Sequence, residues 1–318
     1  MARVQTVLGP VDPGHLGPTL PHEHILSDFI GAGRTGPHRW DRAEVFRTML
    51  PYLVALRERG FTGFADCTPG YLGRDVVLLR ELSEAAGLHI LTSTGYYGAM
   101  DDLFVPRHAY GDTVDALAER WVAEWQHGVD GTGIRPGLIK TGVDPVREES
   151  PAAPRYGLSE IDAKLVRAAA RAHIATGLRV ASHTAQGLAA RAQLRIFEDE
   201  GVDPSGLIVV HLDDEPDTAY HDEVARSGAW LEYDHVGSAA LEHHVDLVSA
   251  TLASYPRQLL LSQDAGWYHV GEPGGGEIRD YNFLHDRFLP ALRECGVAED
   301  LLRQVTVDNP ARAFAVRG

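Results

Sequence analysis

Lysine is almost missing from this sequence. The chain has 318 residues and 29 basic side chains, but its lysines are Lys140 and Lys164 alone, so nearly every positive charge is carried by Arg. Cysteine is as scarce, with Cys67 and Cys295. Two are too few for the disulfide framework of a small secreted domain, and a reduced cytoplasmic setting is the expectation. Positive charge is short overall: 29 Lys and Arg stand against 45 Asp and Glu, a net charge of −16. So acidic a surface repels phosphate backbones and anionic lipid, which argues against nucleic acid and membranes as partners. No apolar run approaches the roughly 18 residues that span a bilayer. The opening Met1-Ala2-Arg3-Val4-Gln5 lacks the basic-then-apolar pattern of a signal peptide. No repeat, low-complexity tract or Ser/Gly linker divides the chain, so a single domain is expected across 1–318.

What is present is an alternation of short apolar runs with longer amphipathic segments. Strands are expected over 19–25, 63–67, 89–94, 137–141, 179–183, 207–211, 230–234 and 259–264, each apolar or β-branched and bounded by Gly, Pro or polar residues. Helices are expected over 41–59, 74–86, 113–126, 159–176, 185–200, 217–227 and 242–255. In the first of these, Val45, Met49, Leu53 and Leu56 recur at helical spacing. Several of the helices run into Gly, and Ser159 with Asp162 makes an N-terminal capping pattern. Eight strands alternating with helices predict an α/β fold with a parallel sheet, best closed as a (β/α)8 TIM barrel. A doubly wound open sheet is the alternative, but the Gly-rich turn that marks its first strand is absent.

The first strand ends instead in Pro21-His22-Glu23-His24. Residues two apart on a strand share a face, so His22 and His24 point one way and Glu23 the other. A His pair on one face suits a divalent first-row metal, and equally suits two solvated or core histidines. Lys140 closes the run Gly137-Leu138-Ile139-Lys140. In a chain that otherwise uses Arg, a strand-end Lys reaches solvent, pairs with a carboxylate or has a chemical use: desolvated, it deprotonates more easily than Arg, and its neutral amine can add carbon dioxide to form a carbamate. His183, His211 and Asp264 end three further strands. Singly they read as core histidines and a helix cap. Jointly, six candidate ligands converge on the C-terminal mouth of a barrel, where active sites lie.

The ordered set of His-x-His, strand-end Lys, His, His and Asp resembles the phosphotriesterase-like branch of the amidohydrolase superfamily. The likeness runs from Val7-Leu8-Gly9-Pro10 to Val307-Asp308-Asn309-Pro310-Ala311-Arg312, nearly the full length. It implies a distorted (β/α)8 barrel and two divalent ions, first zinc, with manganese, cobalt or iron as alternatives. His22, His24 and Asp264 would hold the more buried ion, and His183 and His211 the more exposed one. A carbamate on Lys140 and a hydroxide would bridge them. Asp214 and His235 match a relay that carries a proton away from Asp264, and Tyr97 matches a lactonase-type Tyr beside the metal pair. The implied activity is hydrolysis of a lactone or carboxylic ester carbonyl by the bridging hydroxide, with phosphotriester (aryldialkylphosphatase) activity beside it. A dedicated organophosphate triesterase, a mononuclear amidohydrolase such as a deaminase, and a catalytically silent metal-binding barrel remain as alternatives. Among substrate contacts, Trp267 and Tyr268 lie on a Gly-rich loop after Asp264, and Arg279 and Tyr281 follow it. The partner is then a small molecule, and a homodimer is a further expectation of the resemblance.

Overall fold

The computed structural model describes residues 2–146, 156–238 and 240–317. Eight parallel barrel strands occur in the expected places: β1 (Thr19–Ser27), β2 (Gly63–Asp66), β3 in two pieces (His89–Leu91 and Ser93–Thr94), β4 (Leu138–Val143), β5 (Val180–Thr184), β6 (Leu207–Val210), β7 (Trp230–Tyr233) and β8 (Leu259–Leu261). Each strand of the run from the second piece of β3 to β8 pairs with its sequence neighbour, as do β1, β2 and the first piece of β3. The two runs meet within the third strand: His89–Leu91 pairs with β2, and Ser93–Thr94 pairs with β4. An open doubly wound order is therefore not adopted.

The remaining seam lies between β8 and β1. Asp264 donates its N–H to the His22 carbonyl (3.2 Å), and His24 donates to the Ala265 carbonyl (3.0 Å). The strand Gly266–His269 then continues beside β1 in parallel, with Gly266 opposite His24. The joint is irregular on β1 as well, where the register shifts between Leu20 and Glu23. Leu20 packs outward with the helices, as Ile25 does. The shift changes which alternate residues face inward, and so admits His22 and His24 to the barrel interior.

The interior is filled by Ala65, Cys67, Leu91, Leu138, Ala181, Ile208, Val210 and Leu260, with Val4 and Phe314 packed against them. Neighbouring strand residues such as Ile139, Val180, Val209 and Leu261 belong to the larger layer beneath the helices. Val4 and Phe314 come from the chain ends. Ala2–Thr6 pairs antiparallel with both Gly9–Val11 and Ala315–Arg317, a small sheet that the sequence reading did not anticipate. Fully burying a side chain such as Phe314 contributes about 1.5–3 kcal/mol. The helices Arg42–Glu58, Val76–Ala86, Val114–His127, Glu160–Thr176, Gly187–Asp199, Thr218–Ser227 and Leu241–Ser254 follow the expected segments. Ser159 Oγ accepts the Asp162 N–H at 3.0 Å, as its capping pattern requires. No helix among the described residues is long and apolar enough to cross a membrane.

Candidate metal centre

Strand parity carries most of the ligand candidates into one place. Leu138 faces the interior, so Lys140 does too, and Gly142 after it leaves space that the Tyr97 ring fills (2.9 Å from where a Cβ would stand). Ala181 faces inward and brings His183 with it. His211 is different. Ile208 and Val210 face inward, so a continued strand would turn His211 outward. Its φ of +58° re-aims the side chain into the barrel. Asp264 (φ +47°) and Trp267 (φ +70°) also adopt left-handed backbone, which non-glycine residues rarely do. Rare conformations of this kind gather at functional sites, where the surrounding structure holds them in place.

The imidazoles are oriented from behind. His22 Nδ1 lies 2.7 Å from Asp234 Oδ2 and 3.1 Å from Glu232 Oε2. His211 Nδ1 lies 2.8 Å from Asp234 Oδ1. His24 Nδ1 lies 2.8 Å from Thr68 Oγ1, whose own hydrogen goes to the Leu26 carbonyl, so the imidazole N–H is the donor. Each Nδ1–H is thus bonded, which leaves Nε2 as a bare lone pair turned to the cavity. Burial lowers the pKa of His22 and of His211 to about 3 and that of His183 well below its ordinary value, so all three are neutral, the ligand form.

These lone pairs face other acceptors. His24 Nε2 lies 3.1 Å from Asp264 Oδ1, an oxygen with no aligned hydrogen-bond donor among the described residues. His22 Nε2 lies 3.8 Å from the same oxygen and 3.3 Å from Lys140 Nζ. A lone pair opposed to a carboxylate oxygen is repulsive unless a cation lies between them. His22, His24 and Asp264 place one donor atom each within 4.8 Å of one another, as do His211, His235 and Asp264. The donor set of imidazoles and a carboxylate fits divalent zinc-like ions.

Asp264 also starts a polar chain to the surface. Its Oδ2 is 3.5 Å from His235 Nε2, and His235 Nδ1 is 2.9 Å from Asp214 Oδ1. Burial disfavours the His235 cation, but the bonds to Asp214 and Asp264 outweigh it and raise its pKa to about 11. Glu23, on the opposite face of β1 from the His pair, accepts from Ser262 Oγ (2.8 Å) and from the N–H groups of Gln263 (3.0 Å) and Ala265 (2.6 Å), and so pins the segment that carries Asp264.

His22, His24, Lys140, His183, His211, His235 and Asp264 border one cavity of about 180 Å³, lined also by Phe29, Pro69, Leu72, Tyr97, Met100 and Trp267. Trp267 stacks on His24 (ring centroids 3.8 Å apart) and donates its indole N–H to the Asp264 carbonyl (2.7 Å). Arg279 is exposed and borders an adjoining outer depression together with His269 and Ser238. Two expected substrate contacts are corrected. On the strand Gly266–His269 successive side chains alternate, so Trp267 faces the cavity while Tyr268 turns away and donates to Glu44 (3.0 Å). Tyr281 is fully buried, with its hydroxyl bonded to the His24 carbonyl (2.7 Å), and acts as a support for β1. The sequence reading passed over Thr68, Glu232 and Asp234. Glu232 and Asp234 were open to the same argument as the His pair, being two apart at the end of an inward-facing strand.

Comparison with known proteins agrees with this geometry. The model of the phosphotriesterase family matches residues 2–314. A phosphotriesterase homology protein of Mycobacterium tuberculosis is 29% identical, over 100% of this chain and 99% of its own length. An N-acetyltaurine hydrolase of Tetraodon nigroviridis is 28% identical, over 97% of this chain and 96% of its own. Among solved structures, one described as organophosphate hydrolysis activity engineered from a weak promiscuous lactonase template superposes with a TM-score of 0.84 at 31% identity, covering 98% of this chain and 99% of the other. With the His-lined barrel mouth and full-length likeness together, the chain belongs to the phosphotriesterase family.

Proposed function

We propose that the whole chain forms one metal-dependent hydrolase domain acting on lactones or carboxylic esters, with phosphotriesters as further substrates. In this reading His22, His24 and Asp264 would hold one divalent ion, His183 and His211 a second, and Lys140, once carboxylated, would contribute a further anionic ligand; zinc is the first candidate. Such a pair supplies Lewis acidity at the substrate oxygen and hydroxide at neutral pH, by lowering the pKa of water from 15.7 to about 7.

The observation that carries the reading is Lys140. It is buried, its amine faces His22 Nε2 at 3.3 Å, and among the described residues no carboxylate pairs with it. A buried ammonium without a counter-ion is costly. Addition of carbon dioxide to the neutral amine forms an N–C bond, releases a proton and converts this position to an anion that matches cations beside it.

The chain's other groups then have definite tasks. Asp264 Oδ2 takes the proton released as water adds to the substrate; cations held beside Asp264 would offset the carboxylate charge that keeps His235 protonated, and His235 Nε2 would then be free to receive that proton. His235 Nδ1 is held by Asp214, which is half-exposed and leads to solvent. Burial raises the pKa of the Tyr97 hydroxyl far above its ordinary value, so it stays protonated and serves as a donor at the cavity wall. Phe29, Leu72, Met100 and Trp267 exclude water and favour an apolar substituent. Apart from Lys140, no Lys or Arg among the described residues lines this inner cavity, which favours a neutral reacting group over a phosphorylated one.

Metal content per chain, measured for wild type and Lys140→Ala with hydrolysis of lactones, aryl esters, phosphotriesters and N-acyl amides on the same samples, tests the proposal. About two ions per chain, falling together with activity in the variant, is the expected result. About one ion or none, indifferent to the substitution, would overturn it. Activity confined to phosphotriesters or to amides would reassign the substrate.

A further inference from the structure

A second group of ligand-type side chains lies apart from the His-lined centre. Asp102 follows the third strand, Asp144 directly follows β4, and Asp162 is in the first turn of the helix Glu160–Thr176. One carboxylate oxygen from each lies within 4.8 Å of the other two. Asp162 is fully buried, and its Oδ1 has no hydrogen-bond partner among the described residues; Asp102 Oδ1 is buried and unpartnered in the same way. The other oxygens of Asp162 and Asp144 are bonded: Asp162 Oδ2 accepts the Asp144 N–H (3.2 Å), and Asp144 accepts the N–H groups of Met100 (2.8 Å) and Asp101 (3.0 Å). The Tyr110 hydroxyl lies beside Asp102.

These donors are neutral. Among the described residues no Lys or Arg pairs with any of the three carboxylates. The amine of Lys164 is bonded instead to the carbonyls of Ala109, Tyr110 and Asp112. Like charges this close, one of them fully buried, cannot all ionise without a positive partner. Burial, with the charge of Asp102 adding to it, raises the Asp162 carboxyl to about 7. The floor of the cluster is bare: a Cβ on Gly98 would stand 2.2 Å from Asp162 Oδ1 and 2.8 Å from the Gly142 carbonyl oxygen.

We propose that Asp102, Asp144 and Asp162 form a calcium site, separate from the hydrolytic centre, with the unpartnered oxygens of Asp102 and Asp162 as ligands. The donors are all oxygen, the choice of a hard cation. Calcium accepts oxygens in a flexible geometry, whereas magnesium demands a near-ideal octahedron, so carboxylates already held in place by backbone N–H groups favour calcium.

The site has a mechanical connection to the cavity. Met100, Asp101 and Asp102 are three successive residues with left-handed backbone (φ 65°, 53° and 60°), held by hydrogen bonds to Asp144. Met100 lines the substrate cavity. A cation drawn to Asp102 and Asp162 locks this turn against β4 and the helix behind it, and so fixes one wall of the cavity.

The test uses the enzyme as purified, with its own metals, in calcium-depleted buffer. Terbium is titrated under tyrosine excitation, since the Tyr110 hydroxyl lies beside Asp102, and calcium is then added as competitor. One terbium per chain is expected, displaced by calcium with an apparent Kd of about 0.1–1 mM, the range of weak modular sites. Asp102→Asn and Asp162→Asn should each weaken binding about tenfold or more by removing one ligand charge, with the hydrolytic metals unchanged by elemental analysis. Should the buried Asp162→Asn variant fail to fold, the half-buried Asp102→Asn variant decides. Absence of calcium binding to the wild type at about tenfold above that range, or binding that is unchanged in Asp102→Asn, overturns the site.

Discussion

Replacing Asp234 with Asn should split the two metal-binding groups in affinity. The Asp234 carboxylate is fully buried; its Oδ1 receives His211 Nδ1–H at 2.8 Å, and its Oδ2 lies 2.7 Å from His22 Nδ1, whose aligned hydrogen bond goes to Glu232 Oε2 at 3.1 Å. Hydrogen bonds to a charged acceptor contribute about 1.5–3 kcal/mol each. Asn offers one neutral acceptor, and its NH2 confronts an N–H. Loss of such an orienting partner typically costs 10–100-fold in metal affinity, or about 1.4–2.7 kcal/mol. The loss should not fall evenly. Burial and the neighbouring Asp234 charge hold Glu232 protonated, its pKa well above the ordinary value. Once that charge is gone Glu232 ionises more easily, and its Oε2 already lies 3.1 Å from His22 Nδ1. No second carboxylate pairs with His211 Nδ1 among the described residues. The His211 ion should therefore weaken by about 10–100-fold while the His22 ion is nearly spared, and adding Glu232→Gln should weaken both. Competition with a fluorescent chelator resolves the two affinities, and circular dichroism checks the fold. Two affinities within about twofold of wild type in Asp234→Asn would refute the orienting role.

Two further substitutions probe the proton path and the backbone behind it. His235→Asn interrupts the connection from Asp264 Oδ2 to Asp214, and should lower kcat by about 10–100-fold, at or below the low end of the range for acid–base groups, with metal content retained; a pH–rate profile identical to wild type would remove His235 from the path. Gly95→Ala places a Cβ 2.1 Å from the Lys140 carbonyl oxygen at a φ of +107°. Overpacking of about 1–3 kcal/mol should lower Tm by about 1.5–4.5 °C and disturb metal content through Lys140, whereas an unmoved melting curve would show that the strand pair yields without cost.

The strands and most of the ligands were legible because both follow period-two patterns. His22 and His24 share a face by spacing alone, and Lys140 stood out by the rarity of its residue type. What depended on tertiary pairing was not legible. His211 was expected to finish its strand, but it faces the cavity through a left-handed residue placed one position past the strand. Tyr268 was expected at the substrate as an aromatic of the Gly-rich loop after Asp264, and Tyr281 as a contact to a polar part of the substrate just beyond that loop. Their burial follows from an added strand beside β1, and nothing in the local composition announces that pairing. The register shift at Leu20 is of the same kind: it decides which residues of β1 face inward, and it is set by the partner strands.

The seam between β8 and β1 has a consequence for how the protein comes to exist. His22 and His24 lie near the start of the chain and Asp264 near its end, and backbone bonds between these same residues close the ring. Ring closure and assembly of the first ligand group are thus one event. A nascent chain emerging from the ribosome cannot present this trio until some 240 intervening residues have been made, as the His22 to Ser262 bond already spans that separation. Contacts of such long range form late and slowly. Metal capture therefore belongs to the last stage of biogenesis, and an ion bound there fastens the two ends of the barrel together, so that its binding free energy adds directly to folding stability. Starvation for metal during synthesis should then leave a population trapped with the ring open, and later supply of the ion should rescue only those molecules whose ends still find each other.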